Sequence, residues 1–118
     1  MAVSVEQTVA TLRARASALR AAWELRRTDL RERLSRSLRT SLPAGVEARL
    51  IGSLAWGGFG EHSDIDLVLR GADSSLASRL ELQLTRELEV PVEVLRIEEL
   101  PASFRERVER EGVDCHGA

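Results

Sequence analysis

The stretch Ile51-Gly52-Ser53-Leu54-Ala55-Trp56-Gly57-Gly58-Phe59-Gly60-Glu61-His62-Ser63-Asp64-Ile65-Asp66-Leu67-Val68-Leu69 decides the fold. The apolar residues Val46, Ala48, Leu50 and Ile51 run into Gly52-Ser53, and Ile65 to Leu69 alternates with Asp64 and Asp66. Alternation with period two, bounded by glycines, predicts a strand on each side of a loop. Asp64 and Asp66 are separated by one residue, so on a strand their side chains point to the same face. Side by side they repel, and a divalent cation removes that cost. Hard oxygen ligands suit magnesium or manganese, which keep waters and accept phosphate oxygens as further ligands. Gly52-Ser53 precedes a segment able to start a helix, and backbone amides at such a turn, beside a serine hydroxyl, suit a terminal phosphate. A phosphate clamp next to a metal clamp is the expectation.

Downstream, Ser74 to Glu89 places leucines at 76, 80, 82 and 84 among charges and predicts a helix. Val90 to Ile97 reads as a third strand, with Pro91 at its start, where a missing N–H matters least. Within it Glu93 is bracketed by Val92 and Val94, which face the core. Glu93 then faces the side of the aspartates and is the candidate third carboxylate, because a charge there needs a partner. Pro101 to Glu111 predicts a last short helix, capped by Ser103 and ended by Gly112.

Upstream, residues 3–39 contain neither glycine nor proline and are rich in alanine, leucine, arginine and glutamate. That predicts a long helix, or two in series. Val5, Val9, Leu12, Ala16, Leu19 and Trp23 alternate four- and three-residue steps and make one apolar stripe. Its phase runs on through Leu30, Leu34 and Leu38, with Arg27 as an interruption and Thr28-Asp29 as a possible second cap. If continuous, the helix reaches about 50 Å at 1.5 Å per residue. That exceeds the body of a small domain, so part of the stripe is expected on another chain, a homodimer being the simplest case. Ser41-Leu42-Pro43-Ala44-Gly45 breaks the helix and divides the chain into a helical extension, 1–40, and a small mixed α/β domain, 41–118.

The chain has 118 residues, enough for one ordinary domain, with 43% hydrophobic and 31% charged residues. That is the balance of a folded protein rather than a disordered one. No run approaches the roughly 20 apolar residues of a membrane span, and the first residues lack a signal-peptide pattern. A cytoplasmic location without membrane contact is the expectation. Cys115 is the only cysteine, which excludes an internal disulfide and a cysteine-built zinc site. Cys115 and His116 fall on an expected frayed tail, and His62 on a solvent-facing loop. Residues 1–40 hold nine arginines against Glu6, Glu24, Asp29 and Glu32, whereas the rest holds eight arginines and fifteen acids. The basic half suits an acidic partner; nucleic acid is a weaker alternative, since arginines on the wet side of a helix are common.

Gly52-Ser53, ten residues, Asp64-Ile65-Asp66 and a later Glu93 together resemble the minimal nucleotidyltransferase (MNT) group of the DNA polymerase β-like superfamily. The resemblance runs from about Val46 to Val113, including a closing helix and its Glu111-Gly112 turn. It implies a polymerase β-like α/β fold in which a small mixed sheet carries flanking helices. It further implies that Asp64 and Asp66 bind two magnesium ions, and that Glu93 helps hold one and orients or deprotonates the attacking hydroxyl. Gly52 and Ser53 would hold the β,γ-phosphates of ATP or another nucleoside triphosphate, with Trp56 and Gly57 in the same nucleotide-binding set. A nucleoside monophosphate would be transferred with release of pyrophosphate.

The sequence departs from the family in three ways. Trp56 stands where the family often has arginine, and is expected either to pack in the core or to stack on a base. Glu93 stands where aspartate is usual. The chain is also too short for the acceptor-holding helical domain of larger members. Stand-alone proteins of this size resemble antitoxins that silence HEPN-type ribonuclease toxins by adding AMP to a toxin tyrosine. This chain has no tyrosine, which fits action on a partner. Two other readings stay open: an inactive module acting by contact alone, and a dimeric enzyme of the antibiotic-modifying type.

Overall fold

The computed structural model describes residues 4–115. One helix, α1 (Val5–Ser41), occupies the first third of the chain. Ser4 starts it with a reciprocal capping box: its hydroxyl accepts from the Gln7 N–H at 3.1 Å, and the Gln7 side chain accepts from the Ser4 N–H at 3.2 Å. There is no break near residue 28. The side chains that might have capped a second helix are absorbed by the first, because the Thr28 hydroxyl donates back to the Glu24 carbonyl and Asp29 pairs with Arg33 one turn on.

The rest of the chain forms β1 (Glu47–Ile51), α2 (Gly52–Trp56), β2 (Ile65–Arg70), α3 (Ser74–Leu88), β3 (Val92–Arg96), a 3-10 turn (Ile97–Glu99), α4 (Ala102–Glu111) and β4 (Val113–Asp114). The four strands make one mixed sheet in the order β3-β2-β1-β4. β1 is antiparallel to β2 and β4, whereas β2 and β3 are parallel and joined through α3.

Alternation along the strands sorts their side chains onto two faces. Ala48, Leu50, Ile65, Leu67, Leu69 and Val92 point into the main core, where Leu80, Leu84 and Leu88 of α3 meet Leu30, Leu34 and Leu38 of α1. Burying each of these leucines is worth about 1.5–3 kcal/mol, and this anchors the carboxyl-terminal part of α1 on the sheet. The other face carries a smaller cluster, Ile51, Val68, Ile97 and Val108, under α4. The amino-terminal part of α1 projects away: Val5, Leu12 and Leu19 are exposed, and the molecule measures 65 × 31 × 24 Å.

Several expected boundaries shift. The third strand is shorter than expected, because Ile97 turns into the 3-10 segment. Ser103 caps nothing: α4 begins at Ala102 behind Pro101, with no side chain bonded to its first turn. Gly112 does end α4, its N–H reaching the Val108 carbonyl at 2.8 Å. Cys115 is not frayed but buried against the sheet, its thiol pushed up to about 12, chiefly by desolvation. It is therefore inert as a nucleophile at neutral pH. His116 lies outside the described residues. No helix among the described residues is long and apolar enough to cross a membrane.

Candidate active site

The site forms where β1 ends and β2 begins. Ile51 pairs with Asp66, so the chain turns into Gly52 beside that carboxylate. Across the parallel pair Asp66 stands in register with Glu93. Asp64, two residues before Asp66, precedes the strand and is exposed, as is Glu93, whereas Asp66 is half-buried between them. Asp66 and Glu93 belong to the sheet face opposite the main core, and the Asp64 charge lies near enough to act on Asp66. Burial holds the Asp66 carboxyl above the ordinary aspartate range, and the charges of Glu93 and Asp64 push it further the same way.

Gly52 has φ +75°, and a Cβ there would lie 2.6 Å from Oδ2 of Asp66. Glycine is thus required twice over, for the left-handed backbone and for the space. Gly52 and Ser53 open the five-residue helix α2, whose amino end has no side-chain cap. Gly57, at φ +112°, closes it, its N–H bonding to the Ser53 carbonyl at 2.9 Å. His62 is exposed on the turn before β2.

Trp56 is not in the core: it is 47% exposed. Its indole N–H donates to the Glu111 carbonyl at 2.9 Å, and the Arg107 guanidinium lies 5.5 Å from its ring centroid. These contacts tie α2 to the end of α4. Ile51, Gly52, Trp56, Phe104, Arg107 and Val108 line a mainly apolar cavity of about 120 Å³ beside the Gly52 turn. Wider hollows of about 360 and 380 Å³ lie between α1 and α3 and along α1, and none of Asp64, Asp66 and Glu93 lines either.

One contact escaped the sequence reading. Arg27, taken as an interruption of the apolar stripe, is mostly buried and donates from Nη1 to the Leu54 carbonyl at 2.8 Å, while pairing with Glu24. It satisfies the carbonyl end of α2, the helix that Gly52-Ser53 begins. Beside it Trp23 meets the buried Phe59 edge-on at 6.3 Å. A charge on an apolar stripe was the available signal, since such a charge needs a partner when buried.

Among the described residues no three or more histidine, cysteine, aspartate or glutamate side chains converge on one point as a metal-binding cluster. The open row of Asp64, Asp66 and Glu93 nevertheless fits a hard divalent cation. Its donors are all carboxylate oxygens, their mutual repulsion is visible at Asp66, and the backbone beside them is kept clear by Gly52. An open site of this kind leaves positions for water and phosphate oxygens.

A nucleotidyltransferase domain family model matches residues 31–115. The chain belongs to the nucleotidyltransferase domain family. As a nucleotidyltransferase domain it is similar in structure to a minimal nucleotidyltransferase, at 32% sequence identity and a TM-score of 0.57, over 70% of this chain and 87% of that one. It shares its fold with a chain of a toxin–antitoxin complex solved with AMP-PNP, at 22% identity and a TM-score of 0.62, over 75% and 73% of the two chains. The same holds for a chain of the tri-AMPylated Shewanella oneidensis HEPN toxin in complex with MNT antitoxin, at 20% identity and a TM-score of 0.58, over 78% and 73%. Among proteins of curated function no match was found. The match to the family begins inside α1, where the nucleotidyltransferase domain recruits Leu30, Leu34 and Leu38 into its core.

Proposed function

We propose that this nucleotidyltransferase domain transfers a nucleoside monophosphate, AMP from ATP, to a hydroxyl of a partner protein of the HEPN toxin type. The observation that carries the reading is the grouping of Asp64, Asp66 and Glu93, with Asp66 of β2 in register with Glu93 of β3, immediately beside the Gly52-Ser53 turn. Asp64 and Asp66, with Glu93 at the far side, would hold two magnesium or manganese ions. Such ions supply charge neutralisation at the attacking and leaving oxygens of an in-line displacement.

The chain's own residues do the rest. The Gly52 and Ser53 amides and the Ser53 hydroxyl hold the terminal phosphates. Glu93 accepts the proton of the acceptor hydroxyl, whose oxygen bonds to the α-phosphorus. The bond from the α-phosphorus to the oxygen bridging to the β-phosphate breaks, and pyrophosphate leaves. Arg27 and the Trp56–Glu111 contact brace the carboxyl end of α2, so the phosphate turn keeps its position against Asp66.

The test is to incubate the chain with a HEPN-type protein, magnesium, and ATP labelled at either the α- or the γ-phosphate. Label in the partner from the α position alone, lost with Asp64→Asn, is the expected result. Label from the γ position, or none although ATP binds, contradicts the reading.

A further inference from the structure

The amino-terminal part of α1 carries an apolar seam that is left exposed among the described residues. Val5, Val9, Leu12 and Leu19 are 81, 38, 57 and 60% exposed, and Ala16 completes a strict alternation of four- and three-residue steps. That spacing is the seam of a two-helix coiled coil, and its narrow width is that of a helix partner rather than of a bilayer surface. Arg13, Arg15 and Arg20 flank it, against a single acid, Glu6.

The flanks decide the occupant. If two copies of α1 paired in parallel, Arg15 of one would face Arg20 of the other. If they paired antiparallel about the middle of the seam, Arg13 would face Arg13 and Arg15 would face Arg15 at its centre, and only the end pairs, Glu6 with Arg20, would attract. Like charges at such flanking positions oppose pairing and select the partner. Nor does the body of a second copy offer a matching stripe among the described residues: of the other large exposed apolar side chains, Trp56 and Phe104 share one small cavity, and Leu25 and Leu82 stand apart on α1 and α3.

We infer that this seam docks a helix of a different protein, one with apolar residues at coiled-coil spacing and glutamates or aspartates on its flanks. The docked helix ends at Trp23, where the seam enters the body against Phe59. One turn further along α1, Arg27 holds the Leu54 carbonyl of α2. The partner is thereby seated on the same helix that braces the phosphate turn. The inference rests on the proposed function only in taking the docked protein to be the nucleotide acceptor.

The test uses the full chain without nucleotide, so failure of docking is read apart from failure of transfer. The probes are two fluorescent three-heptad peptides with leucine at the seam positions, one flanked by glutamates and one by lysines. Each repels its own copies. Anisotropy should show the glutamate-flanked peptide binding at least about tenfold more tightly, because several exposed charge pairs change sign together. Added salt should narrow the gap. Leu12→Asp should abolish binding with the thermal midpoint unchanged, and joint replacement of Arg13, Arg15 and Arg20 by glutamate should reverse the preference. A chain that sediments alone as a dimer, and as a monomer with Leu12→Asp, overturns the inference in favour of a second copy. Equal binding of both peptides, or of neither, overturns it as well, as does binding only to phosphatidylglycerol vesicles.

Discussion

Gly52 lies so close to Asp66 that a methyl group on its Cα would fall 2.6 Å from Oδ2 of the carboxylate. The Gly52 turn and the Asp66 carboxylate are therefore one unit of packing. Gly52→Ala must displace one or the other and also forces alanine into a left-handed backbone. It is expected to destabilise the fold by about 1–3 kcal/mol and to abolish magnesium-dependent ATP binding. Denaturant unfolding and calorimetry read the two effects separately.

Ionising Asp66 carries a cost, because burial and its two acidic neighbours favour the neutral form. A carboxyl raised in the folded state favours folding most below its unfolded value, and that advantage is lost as pH rises through the folded value. In metal-free protein Asp66→Asn should therefore raise the melting temperature at pH 7. The gain should shrink as pH falls into the carboxylate range. Magnesium should stabilise the natural chain and leave the variant unchanged.

Arg27 reaches the carbonyl end of α2, and in the proposed reaction it would act only by positioning that helix. Arg27→Met keeps the stem and removes the donor. It should cost about 1–3 kcal/mol for the unpaired carbonyl and weaken ATP binding several-fold. Arg27→Lys should restore part of both, and calorimetry on the three proteins checks the order.

The two ends of α1 should respond oppositely to truncation. Leu34 is fully buried, and Leu34→Ala should cost about 2–5 kcal/mol in urea unfolding. Leu12→Ala, on the projecting end, should change stability by less than about 0.5 kcal/mol.

Glu89 ends α3 in a left-handed conformation, at φ 56°, where glycine is the usual residue. Glu89→Gly should stabilise the fold by about 0.5–1 kcal/mol. A higher urea midpoint with unchanged slope is the expected signature.

Much of this was legible because it rests on short-range pattern. Period-two alternation located β1 and β2, and with them the face of Asp66, whereas Asp64 falls just before the strand. The bracketing valines put Glu93 on that face without any knowledge of the register that sets it opposite Asp66. What was missed depends on long-range contacts. β4 has two residues, too few for a period, and exists because Val113 meets Leu50 across the sheet edge. Cys115 is buried through the same closure. Trp56 looked like a core residue by type, yet the end of α4 supplies a carbonyl for its N–H and a cation for its ring at the surface. Arg27 broke the apolar pattern because its partner lies 27 residues away, on a helix of five.

The central claim is that Asp64, Asp66 and Gly52-Ser53 form a working site for a metal-bound triphosphate. Titrating ATP calorimetrically into the natural chain and into the Asp64→Asn, Asp66→Asn double variant, with and without magnesium, tests it most directly. The account predicts binding that requires magnesium and vanishes in the double variant. Magnesium-dependent binding of equal strength in both proteins would contradict it.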